Sequence, residues 1–428
     1  MDIALLSVII FIVIIVLFVS DRLPMATTAI LGCALMVILG VSEFKTAFGQ
    51  FASSTVILTI GVMIIGEAIS ETGLADVIGA WIVKVSSGSE VKLIIGTYFV
   101  SAAMSAFLTN SAVLAMFIPI ITSLSKVNKS LKAKTLIMPI AYGCVIGGAS
   151  TLVGSTQQMT TQGLLVEAGQ RAFKTFDFLP VAGVILIIGA LYVILIGRHR
   201  GEKIWGDRED DADALDAFSA SAATTAVQPS KPKMIIVAVI FAATVVLYIT
   251  EWLPLAVTST TAALLCIITG CITQQKAILC VNWNIVGRLG GCLGIGKCLE
   301  AAGGTELMAD WFRTLVGPAA SPFILFCILV FLVQFSSEFM SNSTAIMIVI
   351  PILLAVAPDM GLNVYAYALG ITIASGVPLS SPLASSTMGM SMVAGYRTRD
   401  YFKYSFPMDV LSYLTVIIMV PLIYGLTV

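Results

Sequence analysis

Two short polar strings of nearly the same spelling stand inside long apolar runs. One reads SAFLTNSAVLAMFIPI from Ser105 and centres on Asn110-Ser111; the other reads SEFMSNSTAIMIVIPI from Ser337 and centres on Asn342-Ser343. In hydrocarbon a chain reversal frees backbone groups that nothing hydrates, so it persists only where protein or a cavity satisfies them. A tip of hydroxyl and amide oxygens can do that, and the same oxygens suit a hard cation. The free N–H groups that open the following helix suit an anion. Capping of the hairpin arms is the plainer role for Ser and Asn; recurrence of the string in two places favours binding.

Two further apolar runs are broken. Gly147 to Thr156 reads GGASTLVGST, and Ser375 to Pro382 reads SGVPLSSP. Interrupted helices in corresponding halves point to a transporter's midplane site, where unwound carbonyls complete an ion's shell. Small residues that let helices pack closely are the alternative. Charges inside apolar runs are few, and the notable ones are Glu67, Lys297, Glu300, Glu338 and Asp409. The first three stand near span ends, where snorkelling accounts for them. Glu338, beside the second tip, is a candidate either for function or for a hydrogen bond that fixes the hairpin. Neither tip and neither broken stretch contains Arg or Lys. The expectation is that an anion is held there by dipoles, hydroxyls, amides and bound cations alone.

Composition says what carries these strings. The chain is 58% hydrophobic and 11% charged, against roughly 25% charge in soluble proteins, so its solvent must be lipid. A net charge of −1 offers no field for nucleic acid. One histidine, His199, and eight cysteines without C-x-x-C spacing argue against a zinc site or a Ser-His-Asp triad, and no enzyme is expected. Apolar runs predict spans near 3–20, 23–41, 54–70, 135–163, 176–197, 233–249, 253–272, 284–300, 362–395 and 406–427. Segments 91–125 and 319–355 are predicted as hairpins, each preceded by an amphipathic stretch, 75–86 and 305–316. The 3–20 run lacks a basic flank and a cleavage site and reads as a retained span.

The polar segment 198–233 reads as a cytoplasmic linker between two related halves, 1–197 and 234–428. Leu23-Pro24 matches Leu253-Pro254, Gly40 matches Gly270, Gly73 matches Gly303, Trp81 matches Trp311, Asn110 matches Asn342 and Pro119 matches Pro351. The offset stays between 226 and 232 throughout, which marks an internal repeat. Basic residues cluster at Lys126, Lys129, Lys132 and Lys134, in the linker, and at Arg397, Arg399 and Lys403. Placing all three clusters in the cytoplasm with five spans and one re-entrant hairpin per half makes the halves inverted and puts both termini outside. The expected fold is an all-α polytopic membrane protein of two inverted-topology repeats.

With these residues assembled, the chain resembles the divalent anion/sodium symporters, which carry dicarboxylates, citrate or sulfate. The resemblance rests on the L-P-x-x-x-T opening of each half, the Ser-Asn-Ser or Thr-Asn-Ser tips where the family has Ser-Asn-Thr, and the broken stretches where it has T-x-x-G-T-P-P-N. It implies one sodium ion at Ser105, Asn110 and the Gly154 carbonyl, and another at Ser337, Asn342 and the Ser380 carbonyl. It implies an anion held by Asn110, Ser111, Ser155, Thr156, Asn342, Ser343, Ser381 and Pro382. A homodimer in the inner (plasma) membrane follows, with scaffold and transport domains, an elevator motion and no organic cofactor. The Pro-Pro-Asn positions read Thr156-Gln157-Gln158 and Pro382-Leu383-Ala384 here, which leaves open dicarboxylate, slightly ahead, or sulfate. A proton-coupled or exchanging permease of the wider ion transporter superfamily, carrying arsenite, citrate or Na/H, is the alternative.

Overall fold

The structure, a computed structural model, describes residues 2–20, 22–74, 77, 89–127, 131–225, 230–316, 321–358 and 360–427. Most of the 75–86 stretch, with Trp81, lies outside the described residues, as do Lys129 and Pro229. The fold is all-helical. The first half runs α1 (Ile3–Ser20), α2 (Met25–Ile38), α3 (Phe44–Phe48), α4 (Ser54–Glu71), α5 (Glu90–Ser105), α6 (Asn110–Val127), α7 (Ala133–Gly148), α8 (Thr156–Glu167) and α9 (Leu179–Tyr192). Next come α10 (Arg198–Trp205) and α11 (Ala212–Thr225). The second half runs α12 (Lys231–Thr250), α13 (Leu255–Ile268), α14 (Gln274–Leu279), α15 (Trp283–Ala301), α16 (Gly304–Val316), α17 (Pro322–Ser337), α18 (Asn342–Val356), α19 (Val364–Gly376), α20 (Ser386–Ser391) and α21 (Thr398–Tyr424). Five of the described helical stretches are long and apolar enough to cross a membrane.

The repeat seen in the sequence is a repeat of backbone conformation. Pro24 and Pro254 precede α2 and α13 with φ of −54° and −53°. Each helix closes on a glycine at positive φ, +71° at Gly40 and +70° at Gly270, a conformation that costs a residue with Cβ. Packing repeats with the halves exchanged: α2 lies on α15, and α13 lies on α4. Glycine makes both approaches. A Cβ on Gly61 would stand 2.7 Å from the Ser259 backbone, and one on Gly291 would stand 2.7 Å from Ala29 Cβ. Lipid tails are as apolar as leucine, so close backbone contact of this kind is what holds such helices together.

The broken runs are real breaks. At 1.5 Å per residue α7 covers about 24 Å, short of a hydrocarbon core of about 30 Å. The chain then unwinds over 149–155 and resumes as α8; the second break, 377–385, is two residues longer and ends at α20. The two hairpins turn at 106–109 and 338–341.

The linker expectation is corrected. The α9 helix continues through a π turn at Val193–Gly197 into α10, and Trp205 is buried against the rings of Tyr396 and Tyr404 at 5.1 and 4.9 Å. Asp210 accepts the Ala133 and Lys134 backbone N–H groups at 2.6 and 3.2 Å, opening α7. Arg208 pairs with Asp400 at 2.6 Å, and Lys126 with Asp216 at 2.6 Å. The Ala/Ser-rich composition belongs to a solvent-facing helix, α11, packed on α6. These pairs bring the three basic clusters to one end of the molecule. They also differ in worth. Asp400 is 7% exposed, whereas Lys126 and Asp216 are 60% and 48% exposed. Removing one partner of a buried pair costs up to about 3–5 kcal/mol, and an exposed pair contributes about 0–1. Arg208→Ala should therefore lower the thermal midpoint by several degrees while Asp216→Ala leaves it nearly unchanged, as differential scanning fluorimetry would read.

Candidate functional site

The first hairpin tip is a closed network. Ser105 Oγ, at the end of α5, donates to Asn110 Oδ1 at 2.6 Å; Asn110 Nδ2 donates to Ser155 Oγ at 3.3 Å. The break is clamped to the tip from below: Thr151 Oγ1 donates to the Ala106 carbonyl and accepts from Gly154 N–H at 3.1 Å. A Cβ on Gly154 would lie 3.0 Å from the Ser105 carbonyl oxygen. Ser105, Asn110 and Gly154, expected together from the resemblance, are together.

The second tip is open where the first is closed. Ser337 Oγ and Asn342 Oδ1 are buried without a hydrogen-bond partner among the described residues. Glu338 Oε1 accepts from Ser380 N–H at 3.2 Å, and Asp409 accepts from Leu379 N–H at 3.0 Å and from Ser380 Oγ. Glu338 thus ties the tip to the break, the fixing role weighed for it above.

Both tips and the first break face one cavity of about 750 Å³, within the usual range of small-molecule sites. Asn110, Ser111, Gly154, Ser155, Thr156, Asn342 and Ser343 line it, and the halves meet where the Thr156 and Ser343 hydroxyls approach to 3.3 Å. Ser105 and Ser337 are fully buried behind the tips. The first turn of α8 opens at the cavity wall, at Thr156 and Gln157, and has no side-chain cap.

Three expectations change. Ser381 and Pro382 are not in the cavity wall; Leu383 to Thr387 supply it. The counterpart of Ser155, φ −148° and ψ 153°, is Ser385, φ −151° and ψ 154°, each immediately before a helix. The structural register thus stands four residues from the match in spelling, and the longer second break, carrying Pro378 and Pro382, supplies two of the four. Ala384, which also lines the cavity, then stands opposite Gly154 in place of Ser380. Second, Glu67 lines the cavity as well and is not only a span-end charge.

Third, the cavity does contain a cationic side chain. Arg288, on α15, donates from Nη2 to Thr156 Oγ1 and from Nη1 to Ser341 Oγ, both at 3.3 Å. It lies inside the span expected at 284–300, where any charge is a functional candidate, so the signal was in the sequence. Nothing in the spelling ties it to the tips, which it reaches from a helix distant in the chain.

An all-helical, membrane-embedded fold with two polar tips and a broken helix converging on one cavity defines a multi-pass membrane transporter. The chain belongs to the CitMHS family, described as a citrate transporter, which matches residues 15–374; that is a family of transporters and not of enzymes. It stands in the ion transporter superfamily, the wider group to which the resemblance above points. Among relatives, the chain is 30% identical over 182 residues to the uncharacterized transporter YfbS of Escherichia coli, covering 42% of this chain and 30% of that one. It thus spans under a third of that relative's length. It is 24% identical to an uncharacterized transporter of Haemophilus influenzae, covering 86% and 81%. It is 20% identical to the sodium-dependent dicarboxylate transporter SdcS of Staphylococcus aureus, covering 81% and 71%. The fold matches the YdaH transporter of Alcanivorax borkumensis with a TM-score of 0.63 at 12% identity, over 92% of this chain and 88% of that one. The Neisseria gonorrhoeae efflux pump MtrF gives 0.60 at 12%, over 90% and 83%.

Proposed function

We propose that the protein is a sodium-coupled carrier of a small divalent anion, a dicarboxylate such as succinate or malate or else sulfate. The anion sits in the cavity between the two tips, and α5–α8 and α17–α20 move it as one body against the remaining helices, in an elevator-type exchange between inverted halves of a homodimer. The observation that carries this reading is the convergence of Asn110, Ser155, Asn342 and Ser343 on one cavity. The orphaned oxygens Ser337 Oγ and Asn342 Oδ1 suit a hard cation at the second tip, and Ser105, Asn110 and Gly154 offer a like set at the first. SdcS, similar over most of its length, adds weight to dicarboxylate.

Uptake of radiolabelled succinate and sulfate into proteoliposomes tests it. An inward sodium gradient should accelerate uptake of one of them at least 10-fold over choline at equal pH and ionic strength. Equal uptake in choline would overturn sodium coupling and leave proton coupling or exchange as the reading.

A further inference from the structure

Arg288 stands apart from every other charged side chain at the cavity. Among the described residues no carboxylate lies within ion-pairing distance of it. Its partners are neutral: the Thr156 and Ser341 hydroxyls, each at a long 3.3 Å, and the Met25 thioether sulfur at 3.6 Å. Arg288 is half-buried in the cavity wall, and long bonds to neutral atoms satisfy a guanidinium only in part. A guanidinium carries five donors in a planar fork that matches two oxygens of one oxyanion. Here the fork is splayed, with one nitrogen on the opening of the first half's α8 and the other on the second half's tip. Ser155, Asn110 and Ser343 line the same cavity, and α8 opens there at Thr156 without a side-chain cap.

We propose that Arg288 is the charged anchor of the transported anion: an oxyanion group, carboxylate, sulfate or phosphate, displaces the two hydroxyls and takes the guanidinium fork, while the tips hold the rest of the ligand. The proposal deepens the anion-carrier reading and rests on it for the ligand's charge, but not for sodium. It has two consequences. The cavity has a positive charge of its own, so an anion binds before any sodium arrives. And the anchor belongs to α15, which packs on α2 and meets the body proposed to move at α8 and, through Arg288 itself, at the Ser341 tip, so an anion that travels with the hairpins must leave it behind. Arg288 then favours anion capture in one state only and sets substrate preference there.

The test uses purified full-length protein in detergent and choline buffer, with phenylglyoxal as a guanidinium-directed probe and mass spectrometry of the peptide carrying Arg288. Without ligand Arg288 should be labelled. Succinate, citrate, sulfate or phosphate at fixed ionic strength should slow labelling on the order of 10-fold for at least one, whereas chloride should not. The same anion should raise the thermal midpoint of wild type but not of Arg288→Gln, and less for Arg288→Lys, which keeps the charge and loses the fork; Arg288→Lys carries the comparison if the Gln variant does not fold. No labelling of the ligand-free protein, or no protection by any of the four anions, overturns the proposal. Protection together with sodium-independent uptake leaves the anchor standing and removes only sodium coupling.

Discussion

Gly148→Ala should leave a folded protein that hardly transports. A Cβ at this position would overlap Asn110 Oδ1 and stand 2.7 Å from both Asn110 Nδ2 and Ser155 Oγ. These are the atoms that join the first tip to the break. The Asn110 side chain has no slack, because Ser105 and Ser155 hold its two ends, so the methyl must push the tip off the break. A displacement of about 1 Å at a binding constellation can cost on the order of 100-fold in rate, and uptake should fall by about that. Stability should suffer less, since the clash is with side-chain ends at the edge of the cavity. The neighbouring Gly147→Ala is the contrast. There the Cβ overlaps the Ala102 backbone, which cannot rotate away, so α5 and α7 must separate and the thermal midpoint should drop by several degrees. Uptake and midpoint measured on both variants decide the matter. Near-normal uptake by Gly148→Ala would mean that the tip and break are not held in register for function.

What could be read from the sequence is what glycine, proline and asparagine mark. Glycines at 40 and 270 take a positive φ that few other residues tolerate, and prolines at 24 and 254 fix φ just before a helix, so the repeat survives in residue type. The tips were legible for the same reason: a polar string has no other business in hydrocarbon. The second break was read out of register because Ser381-Pro382 imitates Ser155-Thr156 in spelling, whereas the structural signature is the extended residue before a helix, which Ser385 supplies. The spelling carries no record of the two extra residues that Pro378 and Pro382 accommodate. The linker misled in another way. Its composition is that of solvent, and helices α10 and α11 are held by Asp210, Arg208 and Trp205 through partners in distant segments. Arg288 is the same kind of miss, a residue whose meaning lies wholly in what packs against it.

The remaining large effect concerns sodium. Had the cavity lacked a cation, anion binding would have required sodium outright. With Arg288 on its wall, one charge of a dianion is matched and the other is not. Attraction between unit charges 4 Å apart at an effective dielectric near 20 is about 4 kcal/mol, so sodium at either tip should still tighten the dianion strongly. By linkage the dianion should tighten sodium by the same factor. Residual binding in choline is expected, weaker than in sodium on the order of 10- to 100-fold. The two asparagines should separate the contributions. Asn342 Oδ1 has no hydrogen-bond partner among the described residues, so Asn342→Ala should leave the sodium-free midpoint unchanged and weaken sodium about 10-fold, roughly 1.4 kcal/mol. Asn110 is bonded to Ser105 and Ser155, so Asn110→Ala should weaken sodium and also release Ser155 from its place in the cavity wall, lowering anion affinity even in choline. Calorimetric titration of sodium with and without succinate or sulfate, in wild type and both variants, would measure every term. Unchanged sodium affinity in both variants would remove the tips from the cation sites, and identical anion affinity in sodium and choline would show that Arg288 alone holds the charge.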